Sequence, residues 1–229
     1  MVDVAYSSLW FFAGDLLIDG LSALVLLAIA MFAFRSLRLR RASDFTPAYA
    51  FLLLGLAYVC KFVATYLLHA DRFTPDIIEG TILVHIGSLL SSDAAFYVLF
   101  LLFRFSLVFG LYLVYASYGS PPRFVSWLFA GLAAGVVLVT VKIYLVVQIL
   151  TFALSVLAAF ACYRRYVSEK RASMLLTVFS FGLFALSRLI VLFAAVSPVY
   201  AVAGAIVRLI AFSLLLTTFG LVFYYARAK

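Results

Sequence analysis

The residues with the most chemistry to offer are ionisable side chains set inside long apolar runs. Lys61, Arg104, Arg188 and Arg208 each interrupt a stretch of Leu, Phe, Val and Ala; so does Asp19, with Asp15 one helical turn before it, and Asp93 opens another run. A charge in such a setting costs about 2.5–3.5 kcal/mol on insertion scales, so it needs a partner or a function to persist. Two arrangements answer that cost. In the first, the charges pair with one another, Asp19 with Lys61 and Asp15 or Asp93 with an arginine, or snorkel to the outer surface, and fix helix register without any ligand. In the second, the four cations line a polar cavity in excess over the carboxylates. A guanidinium presents a planar fork of N–H donors that matches a carboxylate or a phosphate, so the ligand would be an anionic small molecule. The ligand-binding set on this second reading is Lys61, Arg104, Arg188, Arg208, Asp19 and Asp93.

Composition decides what kind of scaffold holds these groups. The chain has 229 residues, 68% hydrophobic and 11% charged, whereas soluble domains run about 45–50% apolar and about 25% charged. Too little polar surface is present to cover a globule in water. Soluble enzymes and nucleic-acid-binding domains are thereby excluded, and the formal charge of +8 reports orientation in a bilayer rather than a nucleic-acid footprint. The first partner is the lipid bilayer.

A spanning helix needs about 20 mostly apolar residues. Seven segments qualify: Asp15 to Phe34, Pro47 to Leu68, Ala94 to Ala116, Phe124 to Val141, Ile143 to Cys162, Ser173 to Val196 and Val199 to Tyr225. The fourth and fifth are nearly continuous and are divided at Lys142. Unbroken runs such as 97–103 lack the alternation of a membrane β-barrel. Residues 74–91 are too short and too polar to span, and read as an external amphipathic helix on the membrane surface. With seven spans, Arg35, Arg38, Arg40, Arg41, Arg123, Arg164, Arg165, Lys170, Arg171, Arg227 and Lys229 all fall on one side. The opposite loops carry only Arg72 and Lys142 as cations. The positive-inside rule then puts the N-terminus outside and the C-terminus inside, in a multi-pass protein of the cell membrane.

Counting about 1.5 Å per residue from the inner ends puts Lys61, Arg104 and Arg188 at roughly 20–23 Å, Asp19 near roughly 24 Å and Arg208 near roughly 28 Å. All five share the outer third of the membrane, on five different helices.

Short similarities recur in chain order. Residues 55–61, Gly-Leu-Ala-Tyr-Val-Cys-Lys, match 182–188, Gly-Leu-Phe-Ala-Leu-Ser-Arg, with the same glycine-to-cation spacing; Phe109-Gly110-Leu111 matches Phe219-Gly220-Leu221. Arg41-Ala42-Ser43 likewise matches Arg171-Ala172-Ser173. These suggest two three-helix units, 15–116 and 143–226, joined by the helix 124–141. An odd linker helix makes such repeats parallel. The layout resembles, in topology alone, the sugar-transporter families built as three plus one plus three helices; their Pro-Gln motif does not occur in the chain.

Other chemistry has weaker support. Cys60 and Cys162 are too few for a disulfide framework. His69 and His85, the only histidines, have neither the placement for a haem nor the spacing for a metal site. The last span holds Arg208 where a retinal Schiff base would need a lysine. No cofactor or metal is expected, and catalytic turnover is not. Gly131 and Gly135 form a Gly-xxx-Gly pattern that permits close helix packing, so a homo- or hetero-oligomer is open. The expectation is a single all-α membrane domain over 1–229: a small transporter or ligand-binding protein with an outward-facing basic site. The alternative is a non-catalytic subunit or sensor-like module acting through a partner protein.

Overall fold

The computed structural model describes residues 2–39, 46–73, 92–119, 144–195 and 197–227, together with Phe124, Gly131 and Gly135; side chains near several helix ends, among them Asp15, His69 and Asp93, are outside what it describes. Six long helices account for nearly all of it: α1 (Val2–Leu39), α2 (Thr46–Phe73), α3 (Ser92–Gly119), α4 (Tyr144–Glu169), α5 (Ala172–Leu192) and α6 (Pro198–Arg227). Each contains a segment long and apolar enough to cross a membrane. The expected fourth span, 124–141, lies outside the described residues except for Phe124, Gly131 and Gly135, which are helical and exposed. The break at Lys142 and the external segment 74–91 also lie outside them.

The helices outrun the apolar stretches. α1 begins at Val2 rather than near Asp15, because residues 2–14 hold no proline and nothing there stops a helix once its apolar part has nucleated it. α5 stops earlier than Val196, giving way to a 3-10 turn over Phe193–Ala195. Pro198 explains the stop: the residue before a proline avoids helical backbone, while proline itself suits a first helical position. Ser197 caps α6 in the expected manner, its Oγ accepting from the Val199 N–H at 3.4 Å.

Each helix packs against its neighbours in the chain, and α6 returns to α1, so the six close into a ring. Contacts give the directions. Gly55 meets Leu27 and Gly20 meets Phe62, so α1 and α2 are antiparallel. Leu54 meets Gly110 and Tyr58 meets Phe103, so α2 and α3 are antiparallel. Phe184 stacks near Phe212 and Val191 meets Gly204, making α5 and α6 antiparallel as well. The α6–α1 seam is parallel, with Arg208 on Asp19 and Phe223 on Phe32. The α3–α4 seam is parallel too, Gly119 lying against Ala161. One end of the bundle therefore carries Arg35, Arg38, Arg164, Arg165, Lys170 and Arg171, and is called the cationic end below. α3 ends there at Gly119, and α4 begins at the opposite end at Tyr144.

The burial pattern is inside out. Leu17, Leu21, Leu24 and Met31 face outward from α1, while Asp19, Ser22, Gln148, Thr151, Ser155 and Arg188 are buried. In water so large an apolar exterior would aggregate; against acyl chains it costs nothing. Most buried hydroxyls bond their own helix, as Ser155 does to the Thr151 carbonyl at 2.6 Å, so they need no partner on another helix. Close approach comes from small residues. A β-carbon at Gly110 would lie 2.9 Å from Leu54 Cγ, and one at Gly204 would meet Val191 Cγ2 and lie 3.0 Å from the Ser187 carbonyl. Toward the cationic end the ring interior is filled by Phe51 and Leu54 of α2, with Phe51 edge-on to Phe219 of α6 at 5.0 Å.

The α4–α5 connection is two residues long and rests on Lys170, whose φ of 48° is left-handed. Its N–H closes α4 on the Tyr166 carbonyl at 2.7 Å. A side chain makes this conformation costly and glycine does not. Lys170→Gly is therefore expected to stabilise the bundle by about 1 kcal/mol, read as a raised midpoint of unfolding in detergent.

Candidate functional site

The site is built around Tyr58, which reaches the middle of the ring from α2 and is fully buried. Its ring is edge-on to Phe103 of α3 at 6.1 Å and to Phe212 of α6 at 5.5 Å. One turn further along α2 stands Lys61, about 20% exposed, with its Nζ 2.5 Å from Asp19 Oδ2. Asp19, completely buried on α1, also takes the Arg208 guanidinium of α6 on Oδ1 at 2.5 Å. The same Arg208 guanidinium lies over the Tyr58 ring at 4.8 Å. The Tyr58 hydroxyl accepts from Arg188 Nη2 of α5 at 2.5 Å, and Gln148 of α4 accepts from Arg188 Nη1 at 3.5 Å. Arg188 further rests on Phe184 of its own helix at 4.7 Å.

Sequence reasoning singled out six residues, and the structure joins four of them. Asp19, Lys61 and Arg208 form one ion triad; Arg188 adjoins it through Tyr58. Arg104 is buried on α3 with its guanidinium 4.4 Å from the Phe100 ring. Rings link this position to the centre, Phe100 to Phe103 at 5.8 Å and Phe103 to Tyr58. The Asp93 side chain lies outside the described residues. Tyr58 and Gln148 were missed, although both carried a signal. A tyrosine hydroxyl buried in a span needs a partner, and Gln148 is the only glutamine in a chain that has no asparagine.

The electrostatic balance follows from these contacts. Two cations, Lys61 and Arg208, hold one carboxylate, and a third, Arg188, stands beyond the Tyr58 hydroxyl. Removing a charge pair from water is expensive and is repaid only by close geometry, which Asp19 has with both of its partners. Among the described residues Arg188 differs in meeting only neutral groups; its Nε has no hydrogen-bond partner there, as is also true of the Nε of Arg208, whose Nη2 is on Asp19. Of the two carboxylates with described side chains, Asp19 is engaged by Lys61 and Arg208, and Glu169 stands at the cationic end with Arg165 and Arg171. Such a constellation can bind and orient an oxygen acceptor. It offers no nucleophile paired with a base, and among the described residues no three of His, Cys, Asp and Glu come together as metal ligands. Cys162 is buried and Cys60 partly so, both free.

Fold and site together define an apolar helical bundle with the lengths and composition of a multi-pass integral membrane protein. No family model, curated protein or solved structure matches the chain.

Proposed function

We propose that the chain is a seven-span protein of the cell membrane, N-terminus outside, that binds a small anion at the buried basic cluster, as a small transporter or a ligand-binding protein. Arg188 carries this reading. It is 3% exposed, makes only neutral contacts and keeps an N–H without an acceptor among the described residues, so an anionic oxygen would be its natural complement. Because the Tyr58 hydroxyl accepts from Arg188, its own O–H is free to donate to the same ligand. A carboxylate or a phosphate ester fits both donors.

Seven spans are supported by the positions of Gly119 and Tyr144 at opposite ends of the bundle, which is what one further crossing between them would produce. A parallel repeat gains support from the common direction of α1, α3, α4 and α6. The matched glycines, however, differ in use. Gly55 and Gly110 receive a neighbouring helix, whereas a β-carbon at Gly182 or Gly220 would meet nothing within 4 Å.

The direct test is equilibrium binding of acetate and of inorganic phosphate to the detergent-purified protein. Arg188→Ala is expected to weaken binding by about tenfold to a hundredfold, the worth of one charge-assisted hydrogen bond set. Unchanged binding in that variant would remove the site. A second reading, a non-catalytic subunit with structural ion pairs, draws on the Asp19 triad, in which each carboxylate oxygen faces a cation at 2.5 Å. Stoichiometric copurification of another chain, with no anion bound by the wild type, would favour it.

A further inference from the structure

A second site stands at the cationic end, in the cleft between the parallel helices α3 and α4. The cleft has a volume of about 560 Å³. Its α4 wall is a helical stripe that changes character along its length: Leu157, Phe160 and Ala161, then Arg164 and Arg165, then Ser168, with the Glu169 carboxylate beside it at the mouth. These positions follow the i, i+3, i+4, i+7, i+8, i+11 pattern of one face, and the stripe spans roughly 16 Å at 1.5 Å per residue. Tyr115 and Tyr118 line the opposite wall on α3. Apolar surface thus lies toward the middle of the bundle and guanidinium groups lie at the level where both spans end.

The charge at the mouth is unbalanced. Arg164 has no ion pair or hydrogen bond among the described residues, Arg165 holds Glu169 Oε1 at 2.8 Å, and Arg171 holds the other oxygen of that carboxylate at 3.3 Å. Over residues 164–171, four cations stand beside one acid. A phosphate diester complements Arg164 and Arg165; an acyl chain complements Leu157 and Phe160. Free phosphate would use only the upper half of the stripe. We propose that this cleft is a binding site for one anionic phospholipid, its headgroup phosphate on Arg164 and Arg165 and an acyl chain along Leu157 and Phe160. Basic pockets between spanning helices recognise anionic headgroups by the same combination. The site is independent of the anion site around Tyr58.

The test uses the full chain in dodecyl maltoside, titrated with phosphatidylglycerol, phosphatidylcholine or inorganic phosphate, with native mass spectrometry counting retained lipids and thermal unfolding reporting stabilisation. One phosphatidylglycerol is expected per chain, with a raised unfolding midpoint; phosphatidylcholine and phosphate should each give neither. Arg164→Gln with Arg165→Gln should weaken retention by about thirtyfold. Arg35→Gln with Arg38→Gln removes the same charge at the same end without touching the cleft and should keep the lipid. Leu157→Trp, which fills the apolar half and leaves every cation in place, should lose it, so the claim stands or falls even if the arginine variant fails to fold. Equal retention of phosphatidylcholine, stabilisation by phosphate alone, or retention by Leu157→Trp would each overturn the proposal.

Discussion

Replacing Asp19 with asparagine is expected to destabilise the bundle by about 3–5 kcal/mol, the range found when one member of a buried charge network is removed and its partners are left uncompensated. The expectation is large because of where the carboxylate sits. It is completely buried, and Lys61 and Arg208 converge on it from two other helices. Asparagine keeps the shape and loses the charge, so the carboxylate that two cations share is replaced by a neutral amide. Losing Lys61 instead should cost less, since it is partly exposed and Asp19 would keep Arg208. Equilibrium unfolding in mixed micelles measures both. The same variant separates the two functional readings. If the cluster binds anions, Asp19 acts as a built-in competitor, and phosphate added at constant ionic strength should restore part of the lost stability to Asp19→Asn. If the pairs are purely structural, phosphate will restore none of it. A loss below about 1 kcal/mol, the scale of an exposed surface pair, would mean that the triad is not held as described.

Tyr58→Ala is expected to have an effect of similar size, about 3–5 kcal/mol, from deletion of a fully buried aromatic ring and the cavity left behind. Three further losses accompany it: the acceptor for Arg188 Nη2, the face beneath Arg208 and the edge contacts to Phe103 and Phe212. Tyr58→Phe separates these contributions. It keeps the rings together and deletes only the hydroxyl, so its cost should be about 1–3 kcal/mol, that of a buried donor left unsatisfied. If phenylalanine proves as damaging as alanine, the Arg188 bond outweighs the packing. If alanine costs less than about 1 kcal/mol, Tyr58 is not the centre of the bundle.

Much of this arrangement was legible in the residues, because membrane physics leaves a helix few options. An apolar run of about 20 residues between charged ends can do little but form a spanning helix, and α2 through α6 lie close to where their apolar runs put them. The common level of Asp19, Lys61 and Arg208 was also readable, since a fixed rise per residue turns sequence position into depth. Which side a residue faces is harder to read. α1 and α6 are apolar around their whole circumference, so no amphipathic stripe indicates the inward face. Arg104 shows the consequence: its depth was accessible, its rotation about the α3 axis was not, and its guanidinium lies over Phe100 of its own helix. Tyr58 was obscured for a related reason. Tyrosines crowd the helix ends of this chain as an interfacial belt, and a tyrosine in mid-span is lost among them unless its hydroxyl is asked for a partner.

The edge-on pair Phe51 and Phe219, with Leu54 beside it, bears on what the transporter reading would require. Phe51 and Leu54 are buried and fill the ring interior on the far side of Tyr58 from Lys61. If the chain is the small transporter proposed above, such packing suits a gated carrier and not an open pore. A solute held at the basic level would leave by the other face only after α2 swung away from α6 and parted the two rings. Flux through the molecule would then be set by the frequency of that swing, in discrete cycles, and would leave no ohmic leak at rest.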